Sequence, residues 1–309
     1  MAKKPSPRRK SGRGRKSDRW LLIGIVVSVL IIALVLWGPF RKYRPTPGKQ
    51  PQTRQAAKRE SGHAQEQQAR ETPGATSLPA LLGNEAGEKT AFVAVVIDDL
   101  GMDLKQAQEL VSLPAKITFA VMPGLPQSKK VAELAKQHHR ELLLHLPMEY
   151  RGKNGKPAPG MLRSDMTPMD FLATVSEDVA SVPGAIGVNN HEGSALTENR
   201  EAMQFLMAEL KSRNLLFLDS FTSAKSVAYE TARKFGIRSA KRDVFLDNES
   251  NNPESIRRQL DELSEIAHKN GKAIGIGHPH PATVSELKKW IAEAGSLGIE
   301  IVPVSKLMN

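Results

Sequence analysis

The chain has 309 residues, no cysteine and a formal charge of +11. Without a thiol, thiolate catalysis and Cys-ligated zinc are excluded, and the composition suits an oxidising compartment. The charge excess is confined to residues 1–60, where sixteen Lys and Arg face only Asp18 and Glu60. Residues 90–309 carry 26 basic against 27 acidic side chains, so the body has no basic groove of the kind nucleic acid requires.

In chain order, a basic tail comes first. Lys3, Lys4, Arg8, Arg9, Lys10, Arg13, Arg15, Lys16 and Arg19 precede an uncharged stretch, 20–40. Its apolar centre, 21–37, with its flanks is long enough to span a bilayer as a helix, which takes about 20 residues. Trp20 and Trp37 stand at its ends, where amphipathic rings favour the interface. The basic excess on the N-terminal side predicts a signal anchor with residues 1–19 in the cytoplasm and the C-terminal body exported, toward the periplasm or cell surface. The rival is a cleaved signal peptide, which has a shorter apolar stretch and an Ala-x-Ala-like site that 37–40 does not provide. Residues 41–89 are rich in Pro, Gln, Ala, Gly, Arg and Glu. They lack the apolar surface to offset ordering and are expected to form a disordered linker.

The body, 90–309, alternates apolar runs with helical segments. Strands are expected at 92–97, 116–121, 141–145, 185–190, 215–218, 237–241, 272–276 and 299–304. Helices are expected near 103–112, 127–139, 168–181, 198–213, 224–235, 253–270 and 283–297. Thr197 reads as an N-cap. Pro253 suits a first helical turn. Strand–helix alternation with short links means parallel pairing with right-handed crossovers. Seven or eight such units fit an α/β fold, a distorted parallel (β/α)7–8 barrel, with an open doubly wound sheet as the alternative. Gly275, Gly277 and their neighbours lack the third glycine and helix of a dinucleotide fingerprint, and no P-loop occurs.

The most informative stretch is 93–101, Val-Ala-Val-Val-Ile-Asp-Asp-Leu-Gly. Five apolar residues, four of them β-branched, suit a strand buried on both faces. Asp98 and Asp99 then stand at its C-terminal end, the end at which barrel active sites are built. The other strand ends are expected to carry His145, then Asn189, Asn190 and His191, then Asp219, Asp243, and finally His278 with His280 beyond Pro279. His63, His138, His139 and His268 fall elsewhere. Asp and His together form the ligand set of a catalytic zinc or related divalent site with an open position for water. Such an ion acidifies its water and polarises a carbonyl, while a nearby carboxylate and a His serve as base and acid. The pattern therefore suggests metal-assisted hydrolysis without naming the bond. Ser194 and Ser220 lie outside any Gly-x-Ser-x-Gly elbow, which argues against a serine hydrolase.

Five segments in order, 96–101 (Val-Ile-Asp-Asp-Leu-Gly), 145–149 (His-Leu-Pro-Met-Glu), 187–194 (Gly-Val-Asn-Asn-His-Glu-Gly-Ser), 218–220 (Leu-Asp-Ser) and 277–281 (Gly-His-Pro-His-Pro), resemble the divergent polysaccharide deacetylase family, a branch of the NodB-type carbohydrate deacetylases. The resemblance implies a distorted β/α barrel and metal-dependent deacetylation of an N-acetylated polysaccharide, with a cell-wall or other envelope glycan as the natural candidate. Carried over by position, it makes Asp98 the base and Asp99 a ligand of a divalent ion, zinc first. His145 is a second ligand, and the third is Glu149, which replaces a family His, or His191. His278 is the general acid, and Asp219 its orienting carboxylate. Asn189 and Asn190 replace the superfamily's Arg-x-Pro-Tyr motif; they are candidates for substrate contact or for satisfying backbone at the strand end. His280 is a candidate for substrate or metal. The missing Arg motif and Glu149 keep open a second reading, a degenerate module that binds glycan or a cell-wall partner without cleaving it. A metal hydrolase acting on a different amide or ester is a further alternative.

Overall fold

The computed structural model describes residues 90–152 and 158–309. The expected basic tail (1–19), anchor (20–40) and linker (41–89) lie outside the described residues. Among those described, no helix is long and apolar enough to cross a membrane.

The elements are β1 (Ala91–Leu100), α1 (Leu104–Val111), β2 (Thr118–Val121), α2 (Ser128–Gln137), β3 (Leu142–Met148), α3 (Pro168–Ser181), β4 (Gly187–Glu192), α4 (Arg200–Ser212), β5 (Leu216–Asp219), α5 (Ala228–Lys234), β6 (Ser239–Lys241), β7 (Val244–Phe245), α6 (Pro253–Asn270), β8 (Lys272–Gly277), α7 (Pro281–Ala294) and β9 (Ile299–Ile301). Short 3-10 turns cover Leu196–Glu198 and Val304–Lys306. All pairings are parallel, in the order β6-β5-β4-β3-β2-β1-β8-β7, with β9 also on β1. The two edges, β6 and β7, are joined by Arg242 and Asp243 and share no ladder. The sheet is therefore a curled, incompletely closed barrel.

Local chemistry sets the element ends. Asp103 accepts from Lys105 N and starts α1, and Pro168 follows the Thr167 cap of α3. Asn199, and not Thr197, caps α4: its side chain accepts from Glu201 N and Ala202 N. Thr197 instead turns its hydroxyl to Gly193 O within the preceding turn. Several strands depart from expectation. β1 runs on to Leu100 and β3 to Met148. The run 299–304 stops as strand at Ile301 and turns into the 3-10 segment. The short β7 was not anticipated, because two strand residues carry no detectable period.

Packing follows the two-residue period of the strands. Val93, Val95 and Ile97 face the helices, in a core that includes Trp290. Ala94 and Val96 face the barrel interior with Ala120, Leu143, Leu218, Ile274 and Ile276. The lower part of that interior is filled by the chain's own end: Val302, Val304, Leu307 and Met308 pack there. Val304 N donates to Thr118 Oγ1, Ser305 bonds Glu141, and Ser239 N donates to Asn309 O. With the lower part of the interior apolar, its buried polar side chains, Asp98, His145 and Asn189, collect toward the C-terminal ends of the strands.

Candidate active site

The alternation that turns Ala94 and Val96 inward carries Asp98 inward as well, at the top of the interior, where it is 3% exposed. Simple alternation would send Asp99 the other way. Asp99 instead adopts a left-handed φ of 59°, a conformation costing a typical residue roughly 1–2 kcal/mol and less for Asp. Both carboxylates thereby serve one site. Glu192 (φ 53°) and Phe221 (φ 51°) make the same left-handed break at the ends of β4 and β5.

Three donors converge at the rim. Asp99 Oδ1 lies 3.1 Å from His145 Nε2 and 2.9 Å from His191 Nδ1. The two ring nitrogens are 3.2 Å apart. All three atoms fall within 4.8 Å of one another. Asp99 Oδ1 is buried and has no hydrogen-bond partner among the described residues. A carboxylate oxygen without a donor, facing two imidazole nitrogens, is the arrangement a divalent cation satisfies.

The protonation of His145 can be read from its neighbours. His145 pairs with Asn189 in the β3/β4 register. Asn189 Nδ2 donates to Asp98 Oδ1 at 2.8 Å and contacts Ser220 Oγ at 3.3 Å. A carboxylate only accepts, so the amide nitrogen of Asn189 must face Asp98. Its oxygen then faces His145 Nδ1, at 3.0 Å. Nδ1 therefore carries a hydrogen, which leaves Nε2, facing Asp99 and His191, as the nitrogen able to bind an ion. Residues behind a metal ligand commonly set its tautomer in this way.

Asn189 is fully buried, so the expectation that it touches substrate is corrected: it links Asp98 to His145. Asn190 is also buried. It donates to Glu192 O and accepts from Ser220 N, satisfying backbone at the ends of β4 and β5, the other role considered for it.

Glu149 is separated from the cluster. Because β3 continues as extended chain, positions 145 and 149 stand about 13 Å apart along it. The Glu149 carboxylate accepts from Ser164 N and Oγ, at 2.8 and 2.6 Å. A four-residue spacing serves one ion when the chain coils, and here it does not. Of the two candidates for a third ligand, the structure brings His191 to Asp99 and His145.

His278 ends β8. Its Nδ1 lies 2.9 Å from Asp247 Oδ1, and its Nε2 lies 3.7 Å from Asp99 Oδ2. Asp247 Oδ2 accepts from His278 N at 2.7 Å and from Thr283 Oγ1 at 2.8 Å. The expected partner, Asp219, is elsewhere. It accepts from Phe221 N, Ser226 Oγ and Tyr229 N, fastening β5 to the start of α5. Asp243 fills the gap below β7, accepting from Ile274 N. Asp247 was missed because β7 was missed. A signal was present: Val-Phe-Leu-Asp at 244–247 repeats the Leu-Phe-Leu-Asp of 216–219. His280 is exposed beside His278, with ring centroids 5.7 Å apart.

The electrostatics divide the aspartates. Burial pushes Asp98 above the usual carboxylate range, against the pull of His145 and His278. Burial would raise Asp99 too, but His145 and His191 close beside it outweigh this and hold it well below that range. Burial lowers His278, and the Asp247 hydrogen bond and charge, with Asp98 and Asp99, more than reverse this and lift it to about 9. The two neighbouring carboxylates are thus pushed apart in pKa, opposite a His that stays protonated to higher pH.

Comparison with known proteins places this arrangement in a family. Residues 95–308 match the model of the divergent polysaccharide deacetylases. The uncharacterized protein YibQ of Escherichia coli is 36% identical over 233 residues, covering 75% of this chain and 72% of that one. An uncharacterized protein of Haemophilus influenzae is 38% identical over 196 residues, 63% and 69% of the two chains. The crystal structure of the uncharacterized protein ATU2773 from Agrobacterium tumefaciens superposes with a TM-score of 0.68 at 31% identity, over 72% of this chain and 91% of that one. The family match over residues 95–308 and the 36% identity to YibQ together show that the chain belongs to the divergent polysaccharide deacetylase family.

Proposed function

We propose that the chain is a metal-dependent hydrolase that removes acetyl groups from N-acetylated sugars of an envelope polysaccharide. Residues 20–40 anchor it as a single pass in the inner membrane, 41–89 form the linker, and 90–309 form the catalytic body outside the cytoplasm. The observation that carries the reading is the unpartnered Asp99 Oδ1 facing His145 and His191, with Asp98 and His278 flanking the group.

A divalent ion held by Asp99, His145 and His191 would acidify a water and polarise the acetyl carbonyl. Asp98 has one oxygen occupied by Asn189, and the other, 3.6 Å from His145 Nε2, faces the site. That oxygen accepts the proton of the attacking water. His278, kept charged and oriented by Asp247, donates from Nε2 to the departing sugar amine. The backbone N–H and Thr283 hydroxyl that grip Asp247 stop it from rotating with the ring, so the proton is delivered from one place. Acetate and a free amine leave.

The reading is tested by elemental analysis of the purified protein together with acetate release from acetylated glycans. About one ion per chain, lost in Asp99→Ala and His145→Ala along with turnover, is the expected result. A protein that takes up no zinc, cobalt, nickel or manganese is not this enzyme, and the non-cleaving glycan-binding module becomes the better description.

A further inference from the structure

A second group of donors adjoins the first. One carboxylate oxygen of Asp247 and one ring nitrogen each of His278 and His280 lie within 4.8 Å of one another. Asp247 is only 4% exposed and its Oδ2 is held by His278 N and Thr283 Oγ1, so Oδ1 is fixed in direction. His280 is exposed and gives the group an entrance from solvent. It stands between Pro279 and Pro281, which restrict the backbone that carries its ring.

We infer that Asp247, His278 and His280 form a second, weaker site for a divalent cation of the zinc class, and that an ion bound there acts as a brake on the enzyme. Three ligands of this N and O type with an open position suit zinc. The two groups differ in one respect that sets their order of filling. Asp99 Oδ1 meets no hydrogen-bond donor, whereas Asp247 Oδ1 shares a hydrogen with His278 Nδ1 at 2.9 Å. A cation entering the second group must take the place of that hydrogen. The proton leaves Nδ1 for solvent, and bonds to the ion form from Nδ1, from Oδ1 and from a His280 nitrogen. The cost is one charge-assisted hydrogen bond, which makes the second site roughly 10- to 100-fold weaker than it would be with free lone pairs.

The brake follows from what remains on the ring. With the ion on Nδ1, His278 retains only its Nε2 hydrogen, and releasing that would leave an imidazolate, a far poorer outcome than the neutral imidazole left by a doubly protonated ring. This consequence rests on the proposed role of His278 as the acid; the site itself does not.

The test is a zinc titration of the full-length protein, with bound metal measured by equilibrium dialysis and elemental analysis, alongside deacetylation rates. Two ions per chain are expected in the wild type, the second at least about tenfold weaker. His280→Ala should bind one, tightly, and its own rate should no longer fall as zinc rises. Asp99→Ala should lose the tight ion and keep the weak one. Absence of a weak ion in the wild type, or its survival with unchanged affinity in His280→Ala, overturns the site. Two bound ions with an undiminished rate overturns the brake. A wild type that binds only the weak ion speaks against the catalytic centre while leaving the second site standing.

Discussion

The two ends of the barrel are made by the same strands and are chemically opposite. At the lower end, Val302, Val304, Leu307 and Met308 fill the interior. The left-handed positions there are taken mostly by residues that tolerate them, Gly236, Gly271, Gly298 and Asn214, with His139 as an exception. At the upper end the interior positions hold Asp98, His145, Asn189 and His278, and the left-handed positions include Asp99, Glu192 and Phe221. The lower end follows the preferences of backbone and apolar packing. The upper end departs from them, and at Asp99 the departure brings a second carboxylate to the site of Asp98. Apolar packing and the clustered polar groups thus occupy opposite ends of one barrel interior, as expected for a fold whose reactive end is at the strand C-termini.

The sharpest way to break this comparison is at the aspartate pair. Asp99→Ala should abolish tight metal binding and reduce turnover by roughly 1000-fold or more, since an ion acting on a carbonyl supplies several kcal/mol. Asp98→Asn should keep the ion and still lose about 100- to 10,000-fold in kcat, the usual worth of a general base. Elemental analysis beside acetate release separates the two, and turnover surviving in Asp98→Asn would remove it as the base.

The next test contrasts two similar carboxylates. In the proposed mechanism His278 is the acid and must be protonated, so activity should be lost as pH rises through its pKa, held at about 9. Asp247→Asn removes the charge that helps raise this value, so the alkaline limb of kcat/KM should move down toward neutrality and activity at pH 8 should fall about 10- to 100-fold. Asp219→Asn should leave that limb in place. A limb that shifts in Asp219→Asn and stays fixed in Asp247→Asn would reverse the assignment.

Asn189→Ala should weaken zinc binding about 10- to 100-fold by releasing the His145 tautomer, measured by competition with a chelating dye. At the opposite end, Leu307→Ala should leave ion content unchanged and lower unfolding free energy by about 2 kcal/mol, read from urea denaturation. If it altered metal binding instead, the separation of the two ends would be wrong.

Much of this protein is readable in its sequence because the relevant signals are local. Alternating apolar runs and helical segments specify a parallel α/β sheet, and the Val-rich run into Asp98 and Asp99 places a carboxylate pair at a strand end. His145, His191 and His278 could be located by the same reasoning. Only the tertiary structure decided which of these groups meet. Glu149 is excluded because β3 stays extended through Met148, a choice made by its pairing with β4. Asn189 reaches Asp98 across 91 residues, and Asp247 reaches His278 across 31. Asp219 and Asp247 end near-identical tetrapeptides, and the sequence offers no reason to prefer one over the other. The preference arises because β7 pairs with β8 while β5 lies on the far side of the gap, between β4 and β6. A strand end is a local property of the chain, whereas the partner of a charge is a property of strand order.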